Sequence, residues 1–136
     1  MYVHQQSFES APGWPAPGTV VSVPIGFGLR HYGIVSDRQV GGKPMVISGS
    51  NRTGRVAEER WDAFDPVGEY SIADLGGPIG GCAAVERARQ KLGAPYSLLA
   101  WNCDHVVHYA VGLRPQSPQV AACVAAGLLI SLFFAN

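Results

Sequence analysis

Two residues of this 136-residue sequence have the types and positions needed for thiol chemistry, Cys103 and His31. Cys103 follows Asn102 and opens a stretch without helix breakers, so we expect its thiol at the first position of a helix. Backbone N–H groups and the positive end of the helix dipole stabilise a thiolate, the nucleophilic form of cysteine. His31 opens a predicted strand and is the expected base. The alternative left open is an inert, buried cysteine.

The elements that must position this pair form a mixed pattern of strands and helices. Strands are predicted at residues 19–25, 31–36 and 45–48, with a hairpin at 41–44 and weaker strand signals at 61–64 and 69–72. Helices are predicted at residues 82–92, ended by Gly93, and from Cys103 to about Val111, with Asn102 as N-cap and Gly112 as stop. We therefore expect an α+β domain with a small antiparallel β-sheet packed with helices.

The chain divides into three parts. Residues 1–17 are an expected extended lead-in, rich in proline near its end, with Trp14 packed onto the fold. Residues 18–114 form the expected domain. Residues 115–136 form a hydrophobic C-terminal segment, a candidate membrane anchor.

This C-terminal segment has two interpretations. No charged residue follows Arg114, and residues 120–135 are apolar apart from Ser131. Sixteen helical residues span about 24 Å, less than the roughly 30 Å hydrocarbon core of a bilayer. A buried terminal helix and a membrane-inserting or membrane-lying anchor both remain open. Pro115 and Pro118 separate the segment from the domain and favour the anchor.

The composition limits which binding partners and which cellular compartment are expected for this protein. Ten Lys and Arg balance ten Asp and Glu, so there is no excess positive charge to bind nucleic acid as the main partner. Three cysteines without a C-x-x-C pair make a poor disulfide framework. The first residues lack the pattern of a signal peptide. We expect reduced thiols and a cytoplasmic location.

No metal and no cofactor are expected. Cys103 and His105 lie about 200° apart around a helix, so they cannot share an ion with His108 without distortion. Residues 26–28 and 76–81 are glycine-rich turns that lack the remaining residues of nucleotide-binding loops. The other polar residues of the two helices are expected on solvated faces: Asp104, His105 and His108 on one, Arg87, Arg89 and Lys91 on the other.

Two motifs resemble those of a known family. Residues 31–35, His-Tyr-Gly-Ile-Val, resemble the H-box, and residues 102–106, Asn-Cys-Asp-His-Val, resemble the NC motif, of the lecithin:retinol acyltransferase-like family. That family is a circularly permuted branch of the papain-like NlpC-type fold. Residues 17–21 resemble its opening strand, and residues 85–99 resemble the helix and linker before its NC motif.

The resemblance implies what kind of protein this is and where it acts. The family includes thiol acyltransferases and phospholipases with a C-terminal membrane anchor, and the 2A proteins of picornaviruses such as kobuviruses and parechoviruses. The short chain and hydrophobic end are most similar to the viral group. A non-structural protein acting in replication at host membranes is implied, with a lipid or membrane surface and a host or viral protein as partners.

This sequence differs from the cellular enzymes of the family at the residue that orients the catalytic base. Those enzymes usually carry a second His on the next strand, and Ser48 stands at the matching position. A hydroxyl can hold an imidazole but supplies no second basic ring. Two function classes therefore stay open. One is an interaction protein that keeps the fold, and the other is a thiol acyltransferase, phospholipase or amidase with Cys103 as nucleophile, His31 as base and Ser48 as orienting residue.

Overall fold

The computed structural model describes residues 11–50, 52–97 and 102–126. Its elements are β1 (Val20–Gly26), β2 (Leu29–Val40), β3 (Lys43–Ser50), β4 (Arg55–Arg60), α1 (Trp61–Phe64), β5 (Ser71–Ala73), α2 (Gly81–Arg89), α3 (Cys103–Ala110) and α4 (Pro118–Ala126). The strands form one antiparallel sheet in the order β4-β3-β2-β1-β5. The predicted α+β class and the antiparallel sheet are confirmed.

Apolar residues cover both faces of the sheet, because successive strand residues point to opposite sides. On one face, helices α2 and α3 pack on the sheet through a cluster that includes Val20, Ile34, Ile47, Val85, Val106 and Val107. On the other face, α1 packs on the sheet through Val21, Val23, Val35, Val46, Trp61 and Phe64. Trp14 joins this second cluster, with its ring 5.0 Å from that of Trp61, which confirms its predicted packing on the fold.

Strand β4 was not predicted, and residues 61–64 form a helix instead of a strand. The β4 sequence, Arg-Val-Ala-Glu-Glu-Arg, has only one strongly apolar residue, Val56, which is buried. Pairing of the whole of β4 with β3 selects the strand conformation despite this composition. Trp61 and Phe64 are three residues apart and both buried, a spacing that suits one helical face.

The basic residues of α2 are not a solvated face, contrary to the sequence prediction. Arg89 forms ion pairs with Asp37 of β2 and with Glu58 of β4, the latter at 3.1 Å. Arg87 donates to the backbone oxygen of Tyr109 at 2.9 Å. The aliphatic part of an arginine or lysine side chain packs on the protein surface, while its charged end forms ion pairs or hydrogen bonds. Here these charges tie α2 to the sheet and to α3.

The lead-in and the C-terminal segment fall only partly within the described residues. Residues 1–10 and 127–136 lie outside them, as does the side chain of Cys123. The described part of the C-terminal segment contains α4, Pro118–Ala126. Among the described residues, no helix is both long and apolar enough to cross a membrane. The anchor stays a prediction.

Candidate functional site

Helix α3 places Cys103 at its first position, as predicted. The Asn102 side chain accepts hydrogen bonds from the backbone N–H groups of Asp104 (2.9 Å) and His105 (3.3 Å). In return, His105 Nδ1 accepts from the Asn102 backbone N–H at 3.1 Å. This reciprocal capping box satisfies donors that the first helical turn leaves unpaired. The start of α3, and with it the position of the sulfur, is therefore fixed.

The Cys103 sulfur lies against strand β2. The β2–β3 ladder extends to the pair Ile34–Ile47, and the β2 residues before Ile34 pair with β1. The backbone N–H of Tyr32 is close enough to the Cys103 thiol to lower the pKa of that thiol. The thiol therefore lies beside the residue that follows His31.

A side chain from the C-terminal part of the chain, Gln119, also contacts β2, near the Cys103 sulfur. The Gln119 side chain pairs with the backbone of Arg30, accepting at 2.6 Å and donating at 2.7 Å. Gln119 Nε2 also lies 3.2 Å from both carboxylate oxygens of Asp104. Ser117 donates to Asp104 at 2.7 Å and accepts from Asn102 at 3.1 Å. We call residues 117–119 the strap, because they run over the start of α3.

Burial changes the chemistry of Cys103. The residue is only 5% exposed. Burial, together with the neighbouring Asp104 carboxylate, raises the pKa of Cys103 to about 12. The N–H groups of Tyr32 and of the helix start lower the pKa, but by less. The sequence predicted a thiolate at the helix start, and this prediction is wrong because the loss of water outweighs the helix dipole.

His31 is also uncharged at neutral pH. It is 6% exposed, and burial, with a smaller contribution from the Arg52 charge, lowers the pKa of His31 to about 4. Its ring lies 5.3 Å from that of Phe64. It lines a pocket of about 280 Å³ at the end of β1. Its Nδ1 atom is buried and has no hydrogen-bond partner among the described residues.

Hydrogen bonds do not connect the three predicted site residues. Within the described part of the chain, none joins His31 to Cys103 or to Ser48. Ser48 is buried on the same sheet face as Val46, two residues away, and therefore on the face that bears His31. Helix α3 packs on the opposite face. The sulfur and the imidazole thus approach β2 from two directions at neighbouring residues.

Sequence reasoning missed the polar residues that seal this site. Asp104, His105 and His108 were predicted on a solvated helix face, but all three are buried. The strap covers the carboxylate of Asp104, and His108 Nδ1 lies 2.7 Å from the Asp104 backbone oxygen. The signal available in the sequence was Gln116, Ser117 and Gln119, three polar residues just before the apolar stretch that begins at Val120.

The pKa of His31 predicts how stability depends on pH. The unfolded chain binds a proton on His31 near pH 6.5, whereas the folded chain does so only near pH 4. The stabilising contribution of the neutral ring is therefore complete above pH 6.5 and is lost as the pH falls towards 4. We expect His31 alone to remove about 3 kcal/mol of unfolding free energy over this range. Urea unfolding at a series of pH values measures the change.

The variant His31→Leu is the control for this titration. It removes the ionisable ring, so its unfolding free energy should vary less with pH between 4 and 6.5 than that of the parent. His105, whose pKa burial also lowers, remains in both proteins and contributes equally to each. Identical pH dependence in the two proteins would contradict the expected burial of a neutral imidazole.

The described residues offer no alternative centre for a metal ion. They contain no group of three His, Cys, Asp or Glu side chains placed to bind one. Comparisons of the chain with protein-family models, with curated proteins and with solved structures give no match.

Proposed function

We propose that this protein is a non-catalytic domain of the H-box/NC type that acts by interaction at host membranes, as the resemblance to the picornaviral 2A proteins implies. Its fold is then the permuted papain-like one. Support for that fold comes from the helix that begins with Cys103 and meets β2 beside His31. The apolar segment after Arg114 supplies the contact with the membrane.

One observation carries the non-catalytic part of the proposal, namely the state of Cys103. A nucleophilic thiol must be ionised and must reach a substrate. The Cys103 thiol is buried, and its pKa is raised to about 12. The imidazole that would take its proton is packed against Phe64. In this arrangement both residues contribute to packing, Cys103 at the start of α3 and His31 beside Phe64 on the other face of the sheet.

We expect no acyl transfer that depends on Cys103. The test incubates the full chain with vesicles of phosphatidylcholine, and separately with 4-nitrophenyl butyrate, and measures released fatty acid or nitrophenol. Parent and Cys103→Ser should release the same amount as buffer, and intact mass spectrometry should find no acyl adduct on Cys103. Both proteins should retain the same circular dichroism spectrum.

The variant Cys82→Ser is the matched control, since Cys82 is a free, half-buried cysteine on α2. Release that persists in Cys82→Ser and disappears in Cys103→Ser would contradict the non-catalytic proposal. It would instead establish the second candidate function.

That second candidate is a thiol acyl hydrolase or acyltransferase. The buried Nδ1 of His31, which has no partner in the described residues, favours it, because such a nitrogen is available to accept a proton. His31 would take the Cys103 proton, the thiolate would attack an ester carbonyl, and the protonated ring would return the proton to the leaving alcohol. Water or an acceptor amine would then release the acyl group from the thioester and restore the thiol. This route requires a rearrangement that brings His31 and Cys103, which lie on different sides of β2, within hydrogen-bond distance.

A further inference from the structure

The turn between β1 and β2 places an aromatic residue where the backbone disfavours one. Gly26 pairs with Leu29, so Phe27 and Gly28 are the two turn residues. Both have positive φ, 55° for Phe27 and 71° for Gly28. Such turns favour Asn, Asp or Gly, and a bulky side chain with positive φ costs about 1 kcal/mol.

Burial does not compensate for this cost in the part of the chain that the structure describes. The Phe27 side chain is 79% exposed, the largest exposure among the large apolar residues that the structure describes. Burial therefore contributes little to its stability, and its backbone conformation is unfavourable. An exposed aromatic residue in a strained turn indicates a contact outside the domain.

The turn lies at the same end of the sheet as the start of α4. Arg30, three residues after Phe27, is bound by Gln119 of α4 through both backbone groups. From Pro115 to the last residue the sequence carries no charge, and Ala121, Ala122 and Ala125 of α4 are exposed. The uncharged helix therefore begins beside the aromatic turn.

The turn and its flanking strand residues have a charge pattern that suits a lipid surface. Residues 24–30 contain no acidic side chain and one basic one, Arg30. The pocket at the end of β1 is lined by Ile25 and by Val67, which is 72% exposed, and also by Asp65, Glu69 and Arg52. Aromatic rings are enriched at the level of the lipid headgroups, and anionic lipids attract basic residues.

We propose that the Phe27 turn inserts into a lipid bilayer as a second membrane contact, beside the apolar segment that starts with α4. The inference rests on the membrane association in the proposed function and deepens it. A single apolar attachment binds a membrane reversibly, and a second one on the same rigid domain increases the affinity. The sheet end that carries Phe27 and the start of α4 then faces the bilayer.

The test uses the full chain and the variant Phe27→Asn in flotation with vesicles of phosphatidylcholine and phosphatidylserine, 4:1. Asn suits the turn, so the variant should unfold at the same or a higher urea concentration than the parent. Its affinity for the vesicles should nevertheless fall about tenfold. A substitution that leaves the fold intact and weakens binding separates membrane contact from stability.

The matched control is Ile72→Asn, which removes an apolar side chain that is 64% exposed on the edge strand β5. Its vesicle affinity should stay within twofold of the parent. Parent-like binding by Phe27→Asn, or equal losses in both variants, would overturn the second contact while leaving membrane association intact. If the parent itself fails to float with vesicles, the membrane part of the proposed function fails as well.

Discussion

At pH 7.5, Cys103 should react with iodoacetamide at least a hundredfold more slowly than Cys82. Raising the pKa of Cys103 from 9.0 to about 12 reduces its thiolate fraction about a thousandfold, and only the thiolate reacts. The side chain is also buried, whereas that of Cys82 is half-buried. Time courses of alkylation, followed at each cysteine by peptide mass spectrometry, measure both rates in the same protein.

Unfolding provides the control for this comparison. In concentrated guanidinium chloride the two cysteines should be alkylated at similar rates, because the environment that distinguishes them is lost. Faster reaction of Cys103 in the native protein would show an activated thiol. Such a result would contradict the buried state of the sulfur and favour the catalytic candidate.

The features that the sequence predicts are those set by neighbouring residues. The strand containing His31 follows from β-branched residues between turns, and the start of α3 follows from an asparagine before an unbroken helical stretch. The buried face of α3 follows from apolar residues three and four positions apart, among them Val106 and Val107. Each of these signals lies within one element, so a single sequence contains it.

The features that the sequence does not predict depend on distant residues. Gln119 binds the backbone of Arg30 across 89 positions of the chain, and Asp104, which Gln119 also contacts, raises the pKa of Cys103. Strand β4 contains Glu58 and Arg60, residues that by themselves do not indicate a strand, and Arg89 of α2 pairs with Glu58 across the fold. Local patterns give the position of the thiol, whereas its ionisation depends on tertiary burial.

The strap makes Asp104 the polar residue whose removal should destabilise the fold most. Its carboxylate is 2% exposed and accepts hydrogen bonds from Ser117 and Gln119. Asp104→Ala should lower the free energy of unfolding by about 3 kcal/mol, because bonds to a charged group are lost and buried donors are left without acceptors. Urea unfolding followed by circular dichroism measures the loss.

The variant Asp62→Ala is the control, since Asp62 forms an exposed ion pair with Lys43 and should cost less than about 1 kcal/mol.

Releasing the strap should also make the Cys103 sulfur more accessible to solvent and reagents. Cys103 should therefore be alkylated faster in Asp104→Ala than in the parent, under conditions where both remain folded, while the rate at Cys82 stays constant. Equal losses of stability in the two aspartate variants, or an unchanged rate at Cys103, would show that the strap does not hold the thiol closed. Because the same carboxylate binds the strap and raises the pKa of the thiol, stability and reactivity should change together in this variant.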